Sequence, residues 1–302
     1  MNINMKILYG SSVTNSIDVT NICLSKLISN NIMHIPDGDY SRSNLFTDPL
    51  YGVLKKIIIL NNDHVIEYDA STQIKINIID NTIQTISEKE LNDILENIHS
   101  KLNINYGSLN SELPEQKMVV RYLTGNEKVL EIGGNIGRNS LVIGSIVDNN
   151  NFVVLESDTS IATQLTENRD SNKFTFNIEN SALSNRSLIQ KEWDTIPSDT
   201  LQEGYSWVNT ITLDNLKTKY NIIFDTLVLD CEGAFYYILM DIPEILNNIN
   251  LIIMENDYHN ISHKQYIDNV LIKNKFYKHY EESGGWGHCY YNFFEVWKKI
   301  EV

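Results

Sequence analysis

Cysteine is scarce in this chain. Three of its 302 residues, Cys23, Cys231 and Cys289, are cysteines. They are odd in number and too far apart for a zinc finger or a disulfide framework. Reduced thiols, and with them a cytoplasmic location, are the expectation. Positive charge is also short. Lys and Arg number 24 against 39 Asp and Glu, a formal net charge of -15. A surface that acidic repels phosphate backbones, which argues against nucleic acid as a partner. A small anionic substrate met by a few local basic residues is still admitted. No apolar run reaches the length of a membrane span, so no membrane partner is expected. The first ten residues, MNINMKILYG, lack a signal-peptide core. Proline is limited to five residues, and there are no internal repeats or low-complexity segments. A hydrophobic fraction of 42% fits an ordinary soluble globular protein. The abundance of Asn and Ile reflects an AT-rich coding bias, as in a virus or a low-GC bacterium; for a virus the cytoplasm would be the host's.

What the chain does contain changes rhythm along its length. Residues 1–84 read as a small β-rich domain of unknown role. KKIIIL and HVIEY flank Asn61, Asn62 and Asp63 as a hairpin would. QIKINIID alternates Ile74, Ile76 and Ile78 with polar residues, the period of a half-buried strand. IPDGDYSRSNLFTDPLYG reads as a loop-rich centre, in which Asp37 and Asp39 form a weak calcium signal that lacks the remaining loop ligands. Residues 85–114 read as a helical linker. Ser87 and Glu90 have the capping-box spacing, and Leu91, Ile94, Leu95, Ile98 and Leu102 follow as an apolar stripe. A second helix, PEQKMVVRYLTG, has Pro114 near its start and Gly125 at its end. Residues 115–302, which open with this second helix, read as the main domain, in which strands then alternate with helices. This predicts an α/β, Rossmann-like fold with a mostly parallel sheet covered on both faces. KFYKHYEES and YYNFFEVWKK are expected to close it as an antiparallel pair.

In such sheets the ligand lies beyond the carboxyl ends of the strands, where the strand order reverses. The residues following the predicted strands are therefore the candidates. The first strand, KVLEIG, is followed by glycines in the order G-G-x-x-G, with Glu131 at the strand end and Gly133, Gly134, Asn135 and Gly137 in the loop. A dinucleotide would set its pyrophosphate on the helix N-terminus after the glycines, and Glu131 would repel it. S-adenosylmethionine carries an ammonium and a sulfonium instead, so a nearby carboxylate suits it. The glycines would let the backbone approach its nucleoside. Glu156 follows the second strand, where a carboxylate takes ribose hydroxyls. Ser181 and Ala182 follow the third, Asp230 and Glu232 the fourth, and Glu255, Asn256, Asp257 and His259 the fifth.

The ordered segments VLEIGGNIG, VVLESD, NSALSN, TITLDNL, LVLDCEGAFYYIL and LIIMEN resemble the motifs of FkbM-type class I methyltransferases over residues 115–300. The resemblance implies a seven-stranded, mostly parallel sheet with an antiparallel last strand. It also implies O-methylation of a sugar, nucleotide sugar or glycan, a small-molecule carbohydrate or glycoconjugate acceptor. By position, Glu131, Gly133, Gly134, Asn135, Gly137, Glu156, Ser157, Ser181 and Ala182 would hold the cofactor, and Asp230 and Glu232 would face the methyl group. Val228 stands where the family often has Lys, and Ser157 where it has Pro.

A sugar hydroxyl must be aligned with the methyl group and relieved of its proton. Asp230, His259 or His288 could be the base. Alternatively magnesium on Asp230, Glu255 and Asn256 could lower the hydroxyl pKa, a placement resembling catechol-type O-methyltransferases. Trp286, in the glycine-rich loop with His288, could stack on a sugar or face the sulfonium. Two other readings stay open, a noncatalytic cofactor-binding or scaffold subunit and a nucleic-acid methyltransferase. No N/D-P-P-Y motif follows the fourth strand to favour the latter. The state of assembly is open, a homodimer among the options.

Overall fold

The apolar runs after residue 128 become one seven-stranded sheet. In the computed structural model, which describes residues 5–29, 31–61, 64–191 and 194–300, its strands are β1 (Val129–Ile132), β2 (Phe152–Leu155), β3 (Asn177–Glu179), β4 (Thr226–Leu229), β5 (Leu251–Glu255), β6 (Phe276–Glu282) and β7 (Phe294–Lys299). They lie in the order β3-β2-β1-β4-β5-β7-β6. The first five of that order run parallel. β7 is antiparallel to both its neighbours. This is the sheet expected, with its antiparallel last strand. β1, β2 and β4 are buried at every position, as strands covered on both faces must be.

The covering helices are α1 (Arg138–Ile146), α2 (Thr159–Ser171), α3 (Leu213–Tyr220), α4 (Ala234–Asp241) and α5 (Ile261–Lys273). Asp158 caps α2 by accepting from the Ile161 N–H (2.9 Å), and Thr212 caps α3 by accepting from that of Asn215 (3.2 Å). Each satisfies a donor that a helix start leaves free. The order reverses between β1 and β4, so the crevice of such a sheet opens above those two strands.

The capping box at Ser87 forms as read and starts the helix Glu88–His99. Leu91 and Leu95 are buried on it, whereas Ile94 is exposed. The helix Leu113–Tyr122 follows. Among the described residues no helix is long and apolar enough to cross a membrane.

Ahead of these helices stand two four-stranded sheets. One orders Ser16–Asp18, Met5–Gly10, Lys56–Asn61 and His64–Tyr68. The other orders Ile28–Ser29, Ile32–Ile35, Gln73–Asn77 and Ile83–Ile86. They enclose a hydrophobic core of their own, with Ile7, Tyr9, Met33, Ile57 and Ile74 inside. The hairpin at residues 56–68 pairs as expected; Asn62 and Asp63 of its turn lie outside the described residues.

Two segments depart from the sequence reading. The expected loop after Ile35 contains a helix, Asp39–Phe46. Its anchor is long-range. The buried Arg42 guanidinium donates to the carbonyls of Pro36 (2.8 Å), Asp69 (2.9 Å) and Thr72 (2.6 Å). The two carboxylates of the calcium signal are taken up by protein partners. Asp37 pairs with Arg121 (2.8 Å), and Asp39 accepts from the Tyr9 hydroxyl (2.6 Å) and pairs with Lys55 (3.0 Å). The second departure is an antiparallel three-stranded sheet, Leu188–Lys191, Asp194–Pro197 and Ser206–Val208, inserted between β3 and α3.

Arg42→Ala would strand three carbonyls beside a buried void. A loss of about 3 kcal/mol or more is expected, seen as a lower urea midpoint. An unchanged midpoint would contradict the anchoring role.

Candidate active site

β1 hands over to its loop at Gly133, which adopts φ 90°. A Cβ there would lie 1.6 Å from the Asp230 carbonyl oxygen, so only glycine lets the β1 loop cross the end of β4. The other glycines make room for protein as well. A Cβ on Gly134 would meet Val154 at 2.2 Å, and one on Gly137 would meet Leu165 at 2.4 Å. Of the three, Gly133 lines the cavity described next.

That cavity, of about 430 Å³, opens above the carboxyl ends of β1, β2, β4 and β5. Asn135, Glu156, Ser157, Ser181 and Ala182 line it with Gly133. Asn135 stands in left-handed backbone (φ 47°) and donates its N–H to Glu156 Oε2 (2.8 Å). The other oxygen of Glu156 accepts from the Asp158 N–H (2.9 Å). Glu156 thereby ties the β1 loop to the β2 loop, and burial raises its pKa above the usual carboxylate range. The Ser157 hydroxyl bonds to Gln190 Oε1 (3.0 Å), and that of Ser181 to Glu179 Oε1 (3.1 Å).

The wall is acidic. Seven carboxyl groups line it, those of Glu112, Glu115, Glu156, Asp230, Glu232, Asp241 and Glu255. No Lys, Arg or His among the described residues does so. Two of the seven are neutralised from behind, Glu112 by Arg138 (2.5 Å) and Asp241 by Arg186. Burial, then the charges of Glu115 and Glu112, push Asp230 up to about 7. Burial and a hydrogen bond with Asp257 push Glu232 up to about 8. Burial and a hydrogen bond with Glu115 push Glu255 up to about 11, so it keeps its proton at neutral pH. Glu112 (φ 57°) and Glu232 (φ 48°) join Asn135 in left-handed backbone. Non-glycine residues hold that conformation at a cost of order 1–3 kcal/mol each, and such strain gathers at functional sites.

Several sequence candidates stand off this wall. Glu131 is buried in β1 opposite Val154 and Val228, and its Oε2 accepts from the Ser140 hydroxyl of α1 (2.5 Å). Burial pushes its pKa up to about 8. A carboxyl that is largely neutral at pH 7 and bonded to α1 does not repel a pyrophosphate, so discrimination falls to those wall carboxyls that keep their charge. His288 is exposed in the turn Gly287–Asn292 and does not reach the cavity. His259, also exposed, packs on Trp286 (ring centroids 5.2 Å apart), and Trp286 is on the wall.

Of the magnesium set, Asp230 and Glu255 line the cavity and Asn256, which follows β5, does not. Its backbone N–H donates to the Phe293 carbonyl and its side-chain amide to that of Asn292, both at 2.7 Å. Among the described residues, no group of three or more His, Cys, Asp or Glu is arranged to hold a metal ion.

Sequence reasoning missed parts of the wall. Glu112 and Glu115 come from the start of the helix Leu113–Tyr122, which read only as a second helix after the joining one. Leu188, Gln190, Thr195 and Pro197 come from the inserted sheet. The one signal for the first pair was the clustering of acids around Pro114.

No protein-family model matches the chain, and no curated protein matches it. Solved structures similar to it include an O-methyltransferase from Bacillus cereus in complex with SAH, at 13% identity over 71% of this chain and 92% of that one (TM-score 0.41). A methyltransferase from Pyrococcus furiosus is similar at 12% identity over 70% and 98% (TM-score 0.38). An rRNA methylase from Streptococcus thermophilus is similar at 8% identity over 66% and 100% (TM-score 0.38). Likeness of this degree leaves the function to the chemistry of the cavity.

Glu131 offers a test of the local electrostatics. Its folded-state pKa of about 8 lies above the ordinary 4.5. Its contribution to stability is therefore complete below pH 4.5 and drains away as pH rises to 8. Glu131→Gln keeps an acceptor for Ser140 without that drain. Its melting temperature should match the parent at pH 4.5 and exceed it at the upper end of that range, by about 2–4 °C for each kcal/mol. A constant offset at both pH values would contradict the buried, protonated Glu131.

Proposed function

We propose that the chain is an S-adenosylmethionine-dependent methyltransferase acting on a hydroxyl of a carbohydrate or glycoconjugate. The observation that carries this reading is the acidic wall, free of basic side chains among the described residues, at the point where the strand order reverses. A dinucleotide brings a pyrophosphate, which carboxylates repel and for which the wall offers no cation. A ligand with an ammonium and a sulfonium is favoured by the same groups. The motifs resembling FkbM-type enzymes support the reading, since VLEIGGNIG, VVLESD and LVLDCEG all span strand ends that border the cavity.

Gly133, Asn135, Glu156, Ser157, Ser181 and Ala182 would hold the cofactor. When bound, it supplies a methyl group on a positively charged sulfur, open to attack by an oxygen lone pair. Asp230 is the group best suited to take the hydroxyl proton, because a base poised near 7 is ionised often enough and still accepts readily. Phe293 and Phe294 line the cavity beside Trp286 and add apolar surface to it. Wall charge also ranks acceptors within the class. The diphosphate of a nucleotide sugar meets the same repulsion as a dinucleotide, so a glycan or sugar without phosphate is favoured.

Methyl transfer from labelled cofactor to a panel of oligosaccharides, nucleotide sugars and RNA tests the assignment. Product on an oligosaccharide is expected, and product on RNA alone would overturn it. In the parent, kcat/KM should rise with pH through about 7 as Asp230 loses its proton. Asp230→Asn should lower kcat by roughly 10²–10⁴-fold with cofactor affinity kept. An unchanged profile in that variant would remove Asp230 from the base role.

A further inference from the structure

The acids of the cavity are not spread evenly. Glu115, from the helix Leu113–Tyr122, faces Glu255 at the end of β5, and Asp230 and Glu232 follow β4 beside them. The Glu255 carboxyl is hydrogen-bonded to Glu115, and Oε2 of Glu115 is buried with no amide, hydroxyl or basic donor on it. Glu115 is 7% exposed and lines the cavity. A buried carboxylate oxygen without a donor is costly unless something completes it. No basic side chain among the described residues lines the cavity to do so. Trp286, on the same wall, offers an aromatic face of the kind that also favours a cation.

From this juxtaposition we propose that the acceptor carries a protonated amino group, as an amino sugar does, and that Glu115, held by Glu255, receives it. This rests on the proposed methyl transfer and narrows its substrate class. The amino group is a recognition element. The methyl group still goes to the neighbouring hydroxyl: the new O–CH3 bond forms, the S–CH3 bond breaks, and the hydroxyl proton passes to Asp230. An ammonium held by a carboxylate has no lone pair and cannot itself take the methyl group.

The test compares amino sugars with their N-acetylated counterparts, which differ in the charge at nitrogen, as acceptors for the full chain at neutral pH. Cofactor affinity is measured separately by calorimetry. The free amine should be preferred in kcat/KM by roughly tenfold to a hundredfold, the range of a charge-assisted hydrogen bond. Glu115→Gln should abolish that preference through KM for the acceptor, while the cofactor, held by Gly133, Asn135, Glu156, Ser157, Ser181 and Ala182, still binds. Glu255→Gln should retain it, because its amide still donates to Glu115. Equal use of both acceptors by a cofactor-binding parent would overturn this inference and leave methyl transfer standing. So would an N-methylated product, a loss of cofactor affinity in Glu115→Gln, or a magnesium requirement abolished by that substitution. Absence of cofactor binding in the parent would instead remove the proposed function itself.

Discussion

The loop after β1 and the end of β4 touch at Gly133, where a single additional carbon would collide with the Asp230 carbonyl at 1.6 Å. That contact fixes how the two central strands meet the crevice. Because Gly133 turns there, Asn135 is brought under Glu156, and the two loops share one carboxylate. Because the Asp230 backbone is pinned from the other side, its side chain is presented among Glu112, Glu115 and Glu156, whose charges help to raise its pKa. Cofactor wall and prospective base therefore depend on one backbone approach. Glu131 supports it from behind by holding Ser140 of α1.

Charge then decides what the crevice can accept. A chain with a net charge of -15 carries acid everywhere, but a surface acid is solvated whereas those on the wall are not. Repulsion among desolvated carboxyls is relieved by protons, as at Glu255 and Asp230, or by cations placed behind the wall, as at Glu112 and Asp241. A ligand carrying positive charge relieves it in a third way. This is why the same feature argues against a pyrophosphate and in favour of a sulfonium donor, and why the unpartnered oxygen of Glu115 points to a cationic acceptor.

The fold of the second half was legible because β1, β2 and β4 are short buried runs, apolar but for Glu131 and Thr226, bounded by turn residues; the helix Glu88–His99 was legible because its cap, Ser87, acts over three residues. The helix Asp39–Phe46 was not, since what stabilises it is Arg42 bonded to carbonyls about thirty residues away, beyond any local signal. The inserted strands at residues 188–208 are three or four residues long, too short to show a period. In the site, strand-end position found Gly133, Asn135, Glu156, Ser181 and Asp230, all on the wall. It also named Glu131 and Asn256, neither of which lines the cavity, because position in the sequence does not say which way a side chain turns. Glu115 went unrecognised for the converse reason: it reaches the wall from a helix that precedes the sheet.

The central claim is that this crevice selects a cationic nucleoside over a dinucleotide, and calorimetric titration of the full chain at neutral pH tests it most directly. S-adenosylmethionine should bind at one site per chain, while NAD should give no heat above dilution. Saturable binding of NAD, with none of S-adenosylmethionine, would contradict the account.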